Sequence, residues 1–548
     1  MKPICLAQFD ERPRIVCLPG GVLWGIHVRT KGETQQVVTL ASSDGGTTWG
    51  DPEALLDLPM EPGTTNGAMP LVDSAGEVHL FLMNDRGTGV FGDRPSDGKP
   101  KSRPMHDRRI DIWHCRSEGQ RTSWTTPRRI WKGYTGSINS AIQMRSGRIV
   151  LPFAFQTGRV WQDRGEGLDA FWFAGTSSST VITSDDRGDT WTLSPSELKV
   201  QTPSIGTYGG VEPVVLQLQD GRIWMLIRTQ LGRFYESFSD DGAIWSHPRP
   251  STLISSDSPA GLVRLPDGRI VLLSNRCRRF PYAHGGRHVL HAAISEDEGR
   301  TWIGHREVAR DPMRHEPPPP QGDHGTAYPY PVVLDDGAVV VTTGQGKGRV
   351  VIVRIDPDWL YETSQEAGLS NALDEWSIFG CRGVETVPDP DDPGQRVLSV
   401  AKVDSEWPAA AVWNFPSSAR GRLRLSLMRR EGSRGALVML TDHFSVPFDP
   451  EDALDAPFRL SLGRDGEMSA GASLDADRWH DIEMVWDQEA RSCDVVLDGC
   501  KLVELAMRRE GDPLSYLRLR SAVEDCEEAG ILVRGVEVEI ERTETPHV

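Results

Sequence analysis

Arg14, Glu212, Arg228, Arg287 and Tyr328 lie far apart in the chain, yet each stands at the edge of an apolar run, where a polar side chain needs a partner. Their types suit one kind of chemistry. A planar guanidinium offers paired N–H donors that match a carboxylate, so three in one pocket would hold an anion more rigidly than lysines could. A tyrosine hydroxyl is a poor nucleophile at neutral pH, but a nearby carboxylate can accept its proton. A phenol also avoids the repulsion that a carboxylate nucleophile would meet from an anionic ligand. Taken singly, each residue has a plainer reading: a surface or ion-paired arginine, a glutamate capping a strand, a tyrosine packed in a core like its neighbour Tyr330. The set acquires meaning only if the fold gathers it.

The elements that would do so are repeats. An apolar strand, a turn around Gly and a second apolar strand recur as RIVCLPGGVLWGI from Arg14, PLVDSAGEVHLFL from Pro70, AIQMRSGRIVLPF from Ala141, PVVLQLQDGRIWMLIR from Pro213, GLVRLPDGRIVLLS from Gly261 and PVVLDDGAVVVTTG from Pro331. Six hairpins at similar intervals predict six radial blades. A second phrase follows most of them: SSDGGTTW from Ser42, SDDRGDTW from Ser184, SDDGAIW from Ser239 and SEDEGRTW from Ser295, with a decayed copy, SEGQRTSW, from Ser117. Ser and Asp side chains cap backbone N–H groups in a tight turn, Gly supplies positive φ, and Trp packs between neighbouring blades. The phrase resembles the Asp box, S-x-D-x-G-x-T-W, of sialidases and related propellers. It marks architecture and names no reaction.

Strand order in a blade puts the first hairpin turn and the Asp box on one side. The opposite side, the mouth, collects the starts of first strands, the ends of second strands and the loops leading to third strands. In that register Arg14 and Glu212 open first strands, Arg228 closes a second, Arg287 opens a third and Tyr328 opens the sixth hairpin. All five are therefore expected on one face.

Their surroundings are similar to sialidase motifs over most of residues 1–356. RIVCL resembles the start of the Arg-Ile-Pro motif, with Val16 in place of Pro. VEPVVLQLQDGR followed by IRTQ resembles the Asn-Glu-Pro motif and the arginine after it, Arg287 stands eight residues before the Asp-box Ser295, and AYPYPVVLDDG is similar to the tyrosine strand. The resemblance implies that Arg14, Arg228 and Arg287 bind a substrate carboxylate, Tyr328 is the nucleophile and Glu212 activates it, an exception to the two-carboxylate glycosidase scheme. It implies an exo-acting glycoside hydrolase that releases a terminal acidic sugar such as sialic acid from glycans.

One part of the pattern is missing. The family's acid/base aspartate should fall between Ile26 and Ser42, where HVRTKGETQQVV holds no Asp. Glu33 and His27 are the candidates there, although each is more often a solvated loop residue. The insertion Asn84 to Arg109, on the mouth side, offers Asp85, Asp93, His106 and Asp107. Two other readings share the arginines: a lyase or hydrolase acting on uronic-acid polymers, and a glycan-binding propeller without catalysis.

The rhythm stops after Asp356. The expectation is an all-β chain with a six-bladed β-propeller over 1–358, a linker or short helix over 359–373, and over 374–548 a β-sandwich (jelly-roll) domain. Its phrase DRWHDIEMVWDQEARSCDVVLDG, from Asp477, resembles concanavalin-like or laminin-G-like sandwiches. A length of 548 residues also asks for two or more cores. The formal charge of -18 opposes broad attraction to nucleic acid or anionic membranes, so any basic site must be local. Met1 to Arg12 lacks a signal-peptide pattern and no apolar stretch is long enough to span a bilayer, which makes a cytoplasmic protein the default expectation. The eight cysteines lack metal-ligand spacing, so neither a metal site nor a cofactor is expected, and the expected partner is an acidic glycan.

Overall fold

A computed structural model describes residues 2–32, 34–58, 63–85, 110–160, 174–201, 209–278, 286–316, 324–369, 373–378, 382–447, 452–464, 466–468 and 471–542. The chain is all-β, and its first part is a propeller arrangement built from the predicted hairpins. Arg14–Cys17, Leu23–Lys31, Thr34–Ser42 and Glu53–Leu58 lie side by side in chain order, and the same antiparallel meander recurs from Thr64, Ile142 and Val211. The ring is closed by a strand from early in the chain: Ile4–Phe9 pairs with Val350–Ile355, outside Val339–Thr343 and Tyr330–Val333.

Each meander is apolar on both faces and buries them against its neighbours. Val16 and Ile26 share a core with Val78, Leu80 and Leu82, and on the other side Ile15 and Leu23 pack with Val340 and Ile352. The full Asp boxes at Ser42, Ser184 and Ser295 tie their turns in one way, and SDDGAIW from Ser239, one residue shorter and without the threonine, keeps the serine, glycine and tryptophan bonds. In the first, Ser42 Oγ donates to Asp44 Oδ1 at 2.8 Å and accepts from Gly46 N at 2.9 Å, while Asp44 accepts from Thr48 N at 2.9 Å. Trp49 Nε1 then reaches Gly46 O at 2.8 Å. The Thr48 hydroxyl, then the Thr48 N–H and the Ser42 hydroxyl, hold Asp44 at about 2, well below the usual carboxylate value, and the Thr190 hydroxyl and N–H do the same for Asp186 in the second box.

Six separate blades were expected from the hairpin count, and the hydrogen bonding gives five. The meander Gly261–Arg264, Ile270–Ser274, Val289–Ser295 and Ile303–Arg310 is not a sheet of its own, because Gly304 on its outer strand pairs with Ser417 and carries the sheet on into strands of the second part of the chain, nine strands in all. Gly304 adopts a φ of 98° at a register shift, and a Cβ there would lie 3.2 Å from Leu360 Cβ, so glycine is what lets the two parts approach. A second sheet of eight strands includes Arg420–Arg429, Trp479–Asp487 and Ile531–Ile540. One continuous core draws on both sheets, with Trp376, Trp413, Phe415 and Trp486 at its centre.

The short helix expected over 359–373 is instead a 3-10 turn, Pro357–Tyr361, followed by the strand Ser364–Glu366, which pairs with Ile531–Ile540. Asp356 caps the turn by accepting from Asp358 N, Glu362 ends it in an extended conformation, and Trp359 buries its ring 3.6 Å from the Arg306 guanidinium.

Polar groups are sealed where the two parts meet. Tyr516 donates to Glu307 Oε1 at 2.8 Å and is hydrogen-bonded to His291 Nε2, while Arg276 reaches Asp512 Oδ2 at 2.8 Å and Ser515 Oγ at 3.1 Å. Burial, then the Arg276 charge, pushes His291 down to about 3; burial alone leads at His315, down to about 4, and at His114, down to about 2. These imidazoles stay neutral in the fold but take a proton near their ordinary 6.5 once unfolded. The unfolded state then binds more protons, so stability falls as pH drops below 6.5 and goes on falling toward the folded values. Thermal midpoints recorded from pH 8 to pH 4 are expected to decline from about pH 6.5, before free carboxylates near 4 begin to titrate; a flat profile down to about pH 4.5 contradicts this assignment.

Candidate active site

The first strand of the fourth meander shows how the backbone aims a side chain. Val211 pairs with Arg228, the register shifts before Val214, and Glu212 occupies the bulge with a φ of 50°. This left-handed conformation is uncommon for a residue with a Cβ and is found where surroundings over-determine it. It turns the Glu212 carboxylate onto Arg228 Nη1, with which it forms a close ion pair. Tyr328, with a φ of 62°, enters the strand Tyr330–Val333 in the same way. Its hydroxyl donates to Glu212 Oε1 at 2.8 Å and accepts from Arg228 Nη1 at 3.0 Å.

Asp257 joins two of the arginines. Its Oδ1 accepts from Arg228 Nε at 2.7 Å, and its backbone carbonyl accepts from Arg287 Nη2 at 2.6 Å and Nε at 3.0 Å. Arg287 Nη1 also donates to Gln345 Oε1 at 3.0 Å, and its guanidinium lies 5.7 Å from the Tyr328 ring centroid. The chain needs glycine to come this close: a Cβ on Gly325, whose φ is 87°, would sit 2.2 Å from Arg287 O, the atom that accepts from Thr326 N at 2.6 Å.

Arg14 completes the group from the first meander. Its guanidinium lies 4.8 Å from the Tyr330 ring centroid, and Tyr330 itself donates to Asn139 Oδ1 at 3.0 Å. Burial lowers the Arg14 pKa from its ordinary value; Tyr330 opposes that shift and the charge of Arg12 adds to it. Arg12 is two residues earlier, on the same side of an extended segment, with its guanidinium 4.6 Å from the Tyr328 ring centroid and 5.5 Å from that of Tyr330. Arg14, Glu212, Arg228, Arg287 and Tyr328, predicted on one face, are thus gathered around two tyrosine rings, and all five are buried. In this cluster four guanidiniums stand against the carboxylates of Glu212 and Asp257, a local positive excess in a chain of net charge -18. The arrangement suits an anion next to a hydroxyl whose proton already points at a carboxylate.

The acid candidates are less complete. His27, in the middle of Leu23–Lys31, has Nε2 3.4 Å from Glu11 Oε2, and burial lowers its pKa although Glu11 works against the shift. Glu33 lies outside the described residues, as do Asp93, His106 and Asp107; Asp85 ends the strand Val78–Asp85, where Asn66 Nδ2 donates to it at 3.2 Å. Among the described residues no group of three or more His, Cys, Asp or Glu is placed to hold a metal ion, and no helix is long and apolar enough to cross a membrane.

Asp257, Gln345 and Arg12 were not singled out from the sequence. A signal existed for Asp257: SSDSP, from Ser255, stands just before the first strand of a hairpin, a few residues ahead of the position that Arg14 and Glu212 occupy in theirs. Arg12 carried one too, by its i, i+2 spacing to Arg14.

Residues 33–341 match the family model described as the BNR repeat-like domain, and the chain belongs to that family. Comparison with curated proteins gives no match. Among solved structures, a protein of unknown function from Dyadobacter fermentans is 18% identical with a TM-score of 0.46, over 65% of this chain and 98% of that one. Trypanosoma rangeli sialidase in complex with 2,3-difluorosialic acid, a covalent intermediate, is 14% identical with a TM-score of 0.41, over 97% of this chain and 92% of that one. The same enzyme in complex with sialic acid is 14% identical with a TM-score of 0.41, over 99% and 92%.

Removing the Asp257 carboxylate leaves Arg228 buried with one anionic partner fewer. Asp257→Ala is expected to destabilise the protein by about 3 kcal/mol, with Asp257→Asn costing less because an amide oxygen can still accept from Arg228 Nε. Urea unfolding checks both, and a loss below about 1 kcal/mol for Asp257→Ala would mean that the pair is no more than a surface salt bridge.

Proposed function

We propose that the protein is an exo-acting glycoside hydrolase that releases a terminal acidic sugar, sialic acid or a relative, from a glycan. The observation that carries the reading is the Tyr328 hydroxyl donating to Glu212 Oε1 at 2.8 Å within reach of buried arginines. In the proposed reaction the arginines Arg14, Arg228 and Arg287 bind the sugar carboxylate. Tyr328 Oη attacks the anomeric carbon as its proton passes to Glu212, the glycosidic bond breaks, and an acid protonates the departing oxygen. Water then attacks the same carbon from the vacated side and gives its proton to the deprotonated acid, freeing the phenolate, which regains a proton from Glu212. The phenol suits this role because it carries no charge to repel the bound carboxylate.

We place the meander from Gly261 to Arg310 as the sixth blade. What supports that count is its shared packing on both sides: Ile270 and Leu272 with Val214 and Leu226, and Val271 and Leu273 with Val339 and Val341. We read the strands beyond Ser364 as a β-sandwich, supported by the single core that its two sheets share.

Tyr328→Phe is expected to abolish release of the sugar from fluorogenic sialosides while leaving the melting temperature nearly unchanged. Full activity in that variant rules out the tyrosine mechanism. His27 and Asp85 are the described candidates for the acid, and the titration of His27 can be tested. Its lowered pKa means that the protonated, active form is complete only well below 6.5 and is lost as pH rises through that lowered value. A fall of kcat/KM with rising pH in the acid range, absent in His27→Gln, is the expected signature. An identical pH profile in the variant assigns the proton to another group.

A further inference from the structure

We propose that Arg12 is a fourth arginine of the anion site, a specificity-determining residue that contacts the ligand's negative group together with Arg14. The inference rests on the acidic-sugar reading of the site and adds a fourth guanidinium to the three that bind the carboxylate in that reading. Arg228 is held by Glu212, Asp257 and Tyr328, and Arg287 by the Asp257 carbonyl and Gln345. The two arginines of the first meander differ. Arg14 Nη1 is buried without a hydrogen-bond partner among the described residues, its Nη2 makes a long contact, 3.5 Å, to Ser137 Oγ, and Tyr330 is the other side-chain partner of this guanidinium. Arg12 Nη1 is likewise buried and without a partner.

A third donor stands beside them. Asn139, itself buried, accepts from Tyr330 and Ser137 through Oδ1 but leaves its Nδ2 without a partner among the described residues. Buried charged donors are not left unsatisfied in a stable fold without a reason, and an anionic ligand or ordered water is the usual acceptor. Three donors from Arg12, Arg14 and Asn139 stand around the tyrosine pair, and no described carboxylate is hydrogen-bonded to any of them. The backbone explains why Arg12 is there: the residue before a proline is biased to extended geometry, so Pro13 keeps Arg12 and Arg14 on one side of the chain. The guanidinium then lies 4.6 Å from the Tyr328 ring centroid, close enough to touch whatever the hydroxyl attacks.

The test is calorimetric titration of the full-length protein with the 2,3-dehydro derivative of sialic acid and with glucuronate, each beside its methyl ester. The wild type is expected to prefer one acid over its ester. Arg12→Gln should weaken binding of that acid by about tenfold or more, with the ester changed by less than about threefold. Arg12→Lys, which keeps the charge but not the forked donors, should fall between them. A merely structural role for Arg12 would weaken acid and ester alike, and this result overturns the proposal. So does unchanged affinity in Arg12→Gln, or a wild type that binds neither acid. Absence of turnover by the wild type with the acid preference intact would sink the hydrolase reading alone and leave the assignment of Arg12 standing.

Discussion

Two buried guanidiniums repel each other, and Arg228 and Arg287 can share a pocket only because one residue stands between them. Asp257 offers its carboxylate to Arg228 and its backbone carbonyl to Arg287, so one acceptor is a full charge and the other a dipole. With Glu212 on the far side of Arg228, the desolvation of the cations is offset by hydrogen bonds in fixed directions. Everything else at the mouth takes its position from this frame. Tyr328 finds its acceptor because Arg228 fixes Glu212, and Glu212 is reachable because its strand bulges where Val211 meets Arg228. A rigid arrangement of this kind also means that little reorganisation is needed when charge develops nearby.

The propeller was legible because its determinants are local. A Gly-centred hairpin and an Asp box specify hydrogen bonds within a few residues, and each appears in the sequence where the structure uses it. The register of those hairpins was enough to bring Arg14, Glu212, Arg228, Arg287 and Tyr328 together. Asp257 was harder to see because its role is purely tertiary: nothing in SSDSP states that a carboxylate from one loop will meet arginines from two other strands. Arg12 was hidden for another reason, since a charged residue in a loop ahead of a strand is usually solvated. Legibility also failed where two sheets fuse. The pairing of Gly304 with Ser417 depends on long-range docking, and a single glycine inside an apolar strand does not announce it.

That docking is extensive for what sequence alone suggested was an appended module. Tyr516 and Ser515 from the second part enter hydrogen bonds with His291, Glu307 and Arg276 of the ring, and Asn414 receives the backbone N–H of Glu307 at 2.9 Å. Such groups would be solvated in a free propeller and must be matched when buried. The second part therefore acts as a lid on one meander's outer strand, covering an edge that would otherwise be open to pairing with other chains.

The pairing of Ile4–Phe9 with Val350–Ile355 sets an order on events during synthesis. This strand leaves the ribosome ahead of the meanders and has no hydrogen-bonding partner until the last strand of the ring has emerged, so it waits as an unsatisfied edge through the making of every intervening hairpin. Arg12 and Arg14 follow that strand directly, and until it docks they are not beside Tyr328 and Tyr330. Nascent and incompletely folded chains therefore lack the assembled pocket, and the capacity to engage a ligand arrives in one step, as the last seam of the molecule shuts.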